Sequence, residues 1–545
     1  MDSSGASLLF GVESELGFTA NDPDGRRIGA AIALDRLLRT CRDRLTHLPG
    51  RGGVRLYLGN GGLIYPDVGH PELATAECSD PRAVLASLRA CEALLTDAAE
   101  ALAGQPDVGG VNLYRSTVDY DSGSTWGNHE SYCSREEPWA HAAAAVPHLV
   151  SRIVYTGSGG FDNTRPGARF VLSPRTPHLG CETSFESQSS RAIFSVRDEA
   201  LSNEGYYRVH LICGDANCSE LSTYLKVGTT AVVLAMADAG VDFGLGSASL
   251  QSPVQAMALF ARDPRLEAKA LCVDGRPRTA LEIQRHYLAL AEKHLGASFM
   301  PGWAEELTGH WRSVLDRLER DPRDLAGWLD WPTKLEIFER YVASQSTLSW
   351  DSLLAWTKAV EQAAASFGEP RRGPARFTAE QLKRCLAGCG ETLDLFGQPG
   401  ADAGTNALDW NDYPQFLRLR DELCELDLRY GLLYPGGLYS DLEAAGCMKG
   451  RLIAADDIER ARDRAPEPGR ARLRGEWIKR LAGREGYGCD WAWIRGRSQY
   501  LDLGNPFATE ACWQPVRKPH LDLSSRNAQL EVPAFLRSRR DARAE

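Results

Sequence analysis

No stretch of the 545-residue chain strings together the ~18 apolar residues a helix needs to cross a bilayer. The opening Met1-Asp2-Ser3-Ser4 lacks the basic start of a signal peptide. Together these predict a cytoplasmic protein with no membrane role. Positive charge is also in short supply. Lys and Arg number 62 against 73 Asp and Glu, a formal charge of −11, which argues against a general nucleic-acid partner. The 14 cysteines lack metal-site spacing: the nearest pairs, Cys213/Cys218 and Cys385/Cys389, have no matching second pair. Thiols in a reducing compartment are the expectation. Gly157-Ser158-Gly159-Gly160 has neither a Walker lysine nor Rossmann spacing and reads as a turn. No internal repeat is visible.

What is present is ordinary in bulk: 43% hydrophobic and 25% charged residues, enough for a large core and one big domain with a smaller one attached. Leu8 to Glu15 reads as a strand. A turn at Asn21-Asp22-Pro23-Asp24-Gly25 follows, then a helix carrying Ile32, Leu34, Leu37 and Leu38 that stops at Pro49-Gly50. Val54 to Leu58 and Leu63 to Tyr65 form a hairpin pattern around Asn60-Gly61. Helices are expected over 81–103 and Ser222 to Ala239, and strands at Val111 to Tyr114, Ala168 to Leu172, Ala192 to Val196 and Tyr207 to Cys213. From 255 to 363 the pattern is mostly helical. Residues 364–412, rich in Gly, Pro, Asp and Ala, read as an insertion, and 456–475 as the joint to a C-terminal domain. The expected division is therefore 1–455 and 456–545.

Four short stretches carry the chemistry: Gly11-Val12-Glu13-Ser14-Glu15, Tyr65-Pro66-Asp67-Val68-Gly69-His70-Pro71-Glu72, Gly127-Asn128-His129-Glu130 and Arg208-Val209-His210. Side chains alternate along a strand, so Glu13 shares a face with Glu15, and Tyr65 with Asp67. Acids and imidazoles on a sheet face are costly to desolvate without a cation, and carboxylates suit Mg²⁺ held against nucleotide phosphates. The pattern reads as a metal–nucleotide site on a sheet.

Taken in order, these stretches and their neighbours resemble the family of the Pup ligase and the Pup deamidase/depupylase. The similarity begins at Gly11-Val12-Glu13-Ser14-Glu15-Leu16-Gly17 and continues through Asn60-Gly61-Gly62-Leu63-Ile64-Tyr65-Pro66-Asp67 and His70-Pro71-Glu72-Leu73-Ala74-Thr75-Ala76-Glu77-Cys78. It runs on through Gly127-Asn128-His129-Glu130-Ser131-Tyr132, Arg197-Asp198-Glu199, His210-Leu211-Ile212-Cys213-Gly214-Asp215-Ala216-Asn217, Arg470 to Glu476 and Asp490-Trp491.

The resemblance implies an α+β fold, a curved antiparallel sheet flanked by helices as in glutamine synthetase-like carboxylate–amine ligases, with a small C-terminal domain. It implies ATP and Mg²⁺ as cofactors. The implied partners are a small Pup-like modifier ending in Glu or Gln and lysine-bearing protein substrates. The ligase branch activates the modifier's terminal γ-carboxylate as an acyl phosphate and joins it to a lysine. The other branch cleaves that isopeptide bond or deamidates a terminal glutamine. Glu13, Tyr65 and Glu72 match the family's metal-ligand positions, with Glu15, His129 and His210 as second-site candidates. Asp67 matches its catalytic aspartate. Thr75 and Trp491 match nucleotide contacts, and Arg175, Arg197, Arg208 and Arg470 are candidates for gripping phosphate or carboxylate.

The chain departs from the family pattern at Leu63, where the family has an ATP-contacting arginine, and at Ser116-Thr117, Ser195-Val196 and Ala200-Leu201. The short span from Phe18 to Gly59, Arg470 to Glu476 and Asp490-Trp491 look like the ligase. The Asp67-x-x-His70-Pro71-Glu72 spacing, Thr156-Gly157-Ser158-Gly159 and Gly214-Asp215-Ala216-Asn217 look like the depupylase. The ligase is the preferred reading. A small-molecule carboxylate–amine ligase and a silent binding module are the alternatives from other classes.

Overall fold

The protein is described here from a computed structural model, over residues 8–186, 191–197, 201, 205–244, 246–366, 378–388 and 408–515. Its centre is a seven-stranded antiparallel sheet. The strands are β1 (Phe10–Glu15), β2 (His47–Pro49), β3 (Leu56–Leu58), β4 (Leu63–Asp67), β5 (His70–Ala74), β6 (Asn128–Ser134) and β7 (Tyr207–Gly214), in the spatial order β7-β6-β1-β5-β4-β3-β2. Glu13 sits opposite Ala74 on one side and His129 on the other, and Tyr65 sits opposite Glu72.

This register sorts the side chains cleanly. Phe10, Val12, Leu56, Ile64, Leu73, Tyr132, Val209 and Leu211 point to the back of the sheet and are buried there. Helices α1 (Ala30–Arg44), α2 (Pro81–Ala103), α3 (Pro138–Ser151) and α4 (Glu220–Asp238) cover that side, in two apolar clusters. Asp80 caps α2 by accepting from the amides of Arg82 and Ala83, with Pro81 in the first turn where its missing N–H costs nothing. Glu130 also points backward. It is fully buried, accepts from Arg152 at 2.8 Å and from the Tyr132 hydroxyl at 2.6 Å, and so belongs to the support of the sheet rather than to its front.

One end of the front face is covered. Helix α5 (Arg470–Leu481) and a four-stranded antiparallel sheet over Gly488–Asp490, Trp493–Arg495, Gln499–Asp502 and Trp513–Pro515 pack on Leu48, Tyr57, Leu63 and Ala74. Leu63, where a charged contact was expected, is 2% exposed in this apolar seam.

Several local expectations are corrected. The first helix ends at Arg44, not at Pro49, because His47–Pro49 pairs with Leu56–Leu58 as the edge strand, where a proline is tolerated. Ile32, expected in the helix's apolar stripe, is 58% exposed. Only Phe170–Val171 of the strand expected at 168–172 is extended. The helical stretch 255–363 also holds a hairpin, Lys269–Leu271 with Pro277–Thr279. The joint expected at 456–475 is largely helical: Ala455–Asp463 is one helix and α5 begins at Arg470. Of the insertion expected at 364–412, residues 367–377 and 389–407 lie outside the described residues, as do Asp198, Glu199 and Ala200. Among the described residues no helix is long and apolar enough to cross a membrane, and Cys213 and Cys218 are free and buried.

Candidate active site

Three adjacent strands, β1, β6 and the edge strand β7, bring the first acid and the imidazoles together. Glu13 on β1 reaches His129 on the neighbouring β6 and, across it, both Arg208 and His210 on β7. Its Oε2 is 3.5 Å from His129 Nδ1 and 3.4 Å from His210 Nε2, and its Oε1 accepts from Arg208 at 2.6 Å. Burial raises the Glu13 carboxyl, but Arg208 and the two imidazoles outweigh it and hold the group well below the usual range. The two imidazole rings stand edge to face, 5.1 Å apart. Burial and Arg208 push His210 down to about 4, so its ring is neutral at pH 7 and offers a lone pair. His210 Nε2 has no aligned hydrogen bond despite its approach to Glu13.

One step along the sheet, Glu15, Asp67 and Glu72 form a second group. Within each group, Glu13/His129/His210 and Glu15/Asp67/Glu72, one ligand atom from every residue lies within 4.8 Å of the others. The crowding shows in the acidities. Burial and the charge of Glu13 push Glu72 up to about 9, and the Tyr65 hydroxyl, which hydrogen-bonds Glu72, only partly offsets this. Burial, Glu13 and Glu72 hold Tyr65 itself above its ordinary value. Burial and Glu15 raise Asp67, against the pull of His129 and Arg55. Like charges stay together at this spacing only as protonated acids or around a cation. The oxygen-only set Glu15/Asp67/Glu72 therefore fits a hard divalent ion such as Mg²⁺, and the set with two imidazoles fits a softer one equally well.

Gly127 makes the approach possible. Its amide donates to Glu15 Oε2 at 2.7 Å, and a Cβ there would lie 2.4 Å from His129 Nε2.

A cleft of about 640 Å³ opens beside Glu13, floored by Gly11 and Thr75 and walled by Cys133, Arg208, Arg470 and Trp491. Thr75 Oγ1 accepts from the Val12 amide at 3.1 Å, tying β1 to the end of β5. Trp491 is wedged by the edge of Tyr57, 5.6 Å away, and by the guanidinium of Arg474. Arg470 is spent on Glu77 at 2.6 Å and on the carbonyls of Leu201 and Leu503.

Two predicted arginines stand elsewhere. Arg175 is buried, with Nε donating to the Ile212 carbonyl at 3.1 Å and a terminal nitrogen to Thr125 Oγ1 at 3.0 Å; it does not line the cleft. Arg197 is exposed beyond the strand Ala192–Ser195 and also lies off the cleft wall. The wider groove of about 2410 Å³ around Trp331 and Trp350 contains none of the predicted site residues.

Two residues of consequence were not singled out from the sequence. Glu77 sits between Arg470 and Arg474, clamping α5 to the segment after β5. Burial raises its carboxyl, but Arg474 and Arg470 prevail and lower it to about 2. Arg470 and Arg474 are one helical turn apart, a spacing that places both on one face and was the available signal.

The family model described as Pup-ligase protein matches residues 9–362 and 358–495. The Pup deamidase/depupylase of Mycolicibacterium smegmatis is 38% identical over 308 residues, 55% of this chain and 61% of that protein's own length. A crystal structure of the complex between the prokaryotic ubiquitin-like protein Pup and its ligase PafA superposes with a TM-score of 0.69 at 26% identity, covering 93% of this chain and 92% of that one. PafA in complex with ADP superposes with a TM-score of 0.63 at 25% identity, covering 88% of this chain and 91% of that one.

Proposed function

The chain belongs to the Pup-ligase family, and from that premise we propose that it is an ATP-dependent carboxylate–amine ligase. In this reading it activates the terminal glutamate of a small Pup-like modifier and joins it to a lysine of a protein substrate. The observation that carries the proposal is the pair of ligand groups on one sheet face, Glu13/His129/His210 and Glu15/Asp67/Glu72, with Glu13 also lining a cleft bordered by Trp491. The cleft would take the nucleotide, as the ADP complex of the related ligase supports, with Trp491 offering a face for the base and Glu13 a carboxylate for the metal.

Glu13, Glu15, Tyr65 and Glu72, with His129 and His210 beside them, would hold Mg²⁺, which would neutralise the triphosphate and polarise its terminal phosphoryl group. The chain's own residues do the rest. Arg208 fixes Glu13 and closes the cleft beside it. A lysine amine has an ordinary pKa near ~10.4 and arrives protonated. Asp67, half-buried beside its hairpin turn, is the acid placed to accept that proton, and its raised basicity suits it to the task.

Similarity to the ligase extends through the C-terminal helix and sheet, covering 93% of this chain, which supports ligation over cleavage. The higher identity to the deamidase/depupylase, 38%, favours cleavage as the second reading. Incubation with ATP, Mg²⁺ and a modifier ending in glutamate, with an acceptor protein present, decides between them. Ligation gives an acceptor heavier by one modifier, and cleavage gives loss of modifier from a preformed conjugate. A protein that does neither, with modifiers ending in Glu and in Gln, removes the proposal.

A further inference from the structure

Among the described residues, four arginines near the acidic face are committed to protein partners. Arg208 bonds Glu13 and Ser131, Arg470 and Arg474 bond Glu77, and Arg175 bonds Ile212 and Thr125. Arg55 makes no such bond. It immediately precedes β3, whose pairing of Leu56 with Ile64 and Tyr57 with Leu63 continues to set Arg55 across from Tyr65 on the front face. Its guanidinium lies over the Tyr65 ring, 5.3 Å from the centroid. The Gly50 amide donates to its carbonyl at 2.8 Å, and a Cβ at Gly50 would meet the Arg55 Cβ at 2.8 Å, so the bend that presents this arginine depends on a glycine. Among the described residues its side chain has no hydrogen bond or ion pair, although the field of Asp67 reaches it.

A guanidinium resting on an aromatic face keeps its N–H edge free. That contact is weak at an exposed site, so it positions the group without satisfying it. The free edge matches a planar oxyanion in two parallel hydrogen bonds. Arg55 and Tyr65 are not part of the cleft wall, which ends at Glu13, so the anion belongs to the other reactant.

On the functional reading above, we propose that Arg55 binds the α-carboxylate of the modifier's C-terminal residue, and so positions the γ-carboxylate of that residue beside Asp67.

The test uses the full chain, a modifier ending in a free glutamate, the same modifier with its α-carboxylate amidated, and ADP. Arg55→Leu is expected to raise KM for the free-acid modifier at least tenfold and to leave ADP affinity within twofold. Arg55→Lys should recover part of the loss. The amidated modifier should be poor with the parent protein and no poorer with Arg55→Leu. An Arg55→Leu protein with unchanged KM for the free-acid modifier overturns the inference, as does a tenfold loss of ADP affinity, which would assign Arg55 to phosphate. A parent protein that binds neither ADP nor modifier defeats the functional reading itself. A working parent matched by Arg55→Leu defeats only the role of Arg55.

Discussion

The guanidinium carbon of Arg474 lies 4.6 Å from the centroid of the Trp491 ring, while its nitrogens reach Glu77 and the Gly61 carbonyl. One face of the indole is thereby fixed from below by a residue that is itself fully buried. The ring borders the cleft, where a base can stack on it. Trp491→Leu keeps the apolar volume but loses the stacking surface. Base–aromatic stacking is worth ~1–3 kcal/mol, so ADP affinity should fall about tenfold by titration calorimetry. Unchanged affinity removes Trp491 from the nucleotide seat.

Glu77 predicts an acid sensitivity with a definite sign. Its folded value, about 2, lies below the ordinary carboxylate value, so its contribution is fully present above the unfolded pKa. That contribution is lost as pH falls from there through the folded value, and by linkage amounts to about 3 kcal/mol. Glu77→Gln should cost about 3 kcal/mol at pH 7 in urea unfolding, leaving Arg470 and Arg474 buried without their anion. The variant should also lose much less stability than the parent between pH 5 and pH 2. A variant as acid-sensitive as the parent assigns the transition to other carboxylates.

Asp67→Asn keeps the shape of the turn and removes the carboxylate proposed to accept the lysine proton. ADP binding should stay within twofold while turnover drops by roughly 10²–10⁴, the range of a lost general base. Undiminished turnover would take Asp67 out of the mechanism.

Glu13→Ala removes the one carboxylate shared by Arg208, His129 and His210. Mg²⁺-dependent ADP binding should weaken by roughly 10–100-fold, with Mg²⁺-independent binding much less affected. Equal affinity with and without Mg²⁺ in the parent protein would contradict a ligand role for Glu13.

The legible part of this site was the part governed by strand alternation. Glu13 with Glu15, and Tyr65 with Asp67, follow from a period of two, and β1, β4 and β7 were readable as strands from their apolar partners on the opposite face. Distance along the chain hid the rest. Glu77 and Arg470 are 393 residues apart, so no local pattern announces their clamp. Arg175 and Arg208 look alike in sequence, yet one is spent on buried protein acceptors and the other on Glu13 at the cleft. Leu63 reads as a lost charged contact until the C-terminal sheet is seen to cover it, where an apolar side chain is what the seam requires. The end of the first helix was misplaced because its continuation, His47–Pro49, draws its partner from Leu56–Leu58 and not from any periodicity of its own.

The acids come from strands made early in the chain, and the Trp491 side of the cleft comes from near the end of the described chain. A polypeptide that stopped after β7 would carry every acid and imidazole of the candidate site and lack the indole proposed to seat a purine. On the proposed function, synthesis would have to run to the C-terminal sheet before nucleotide could be used.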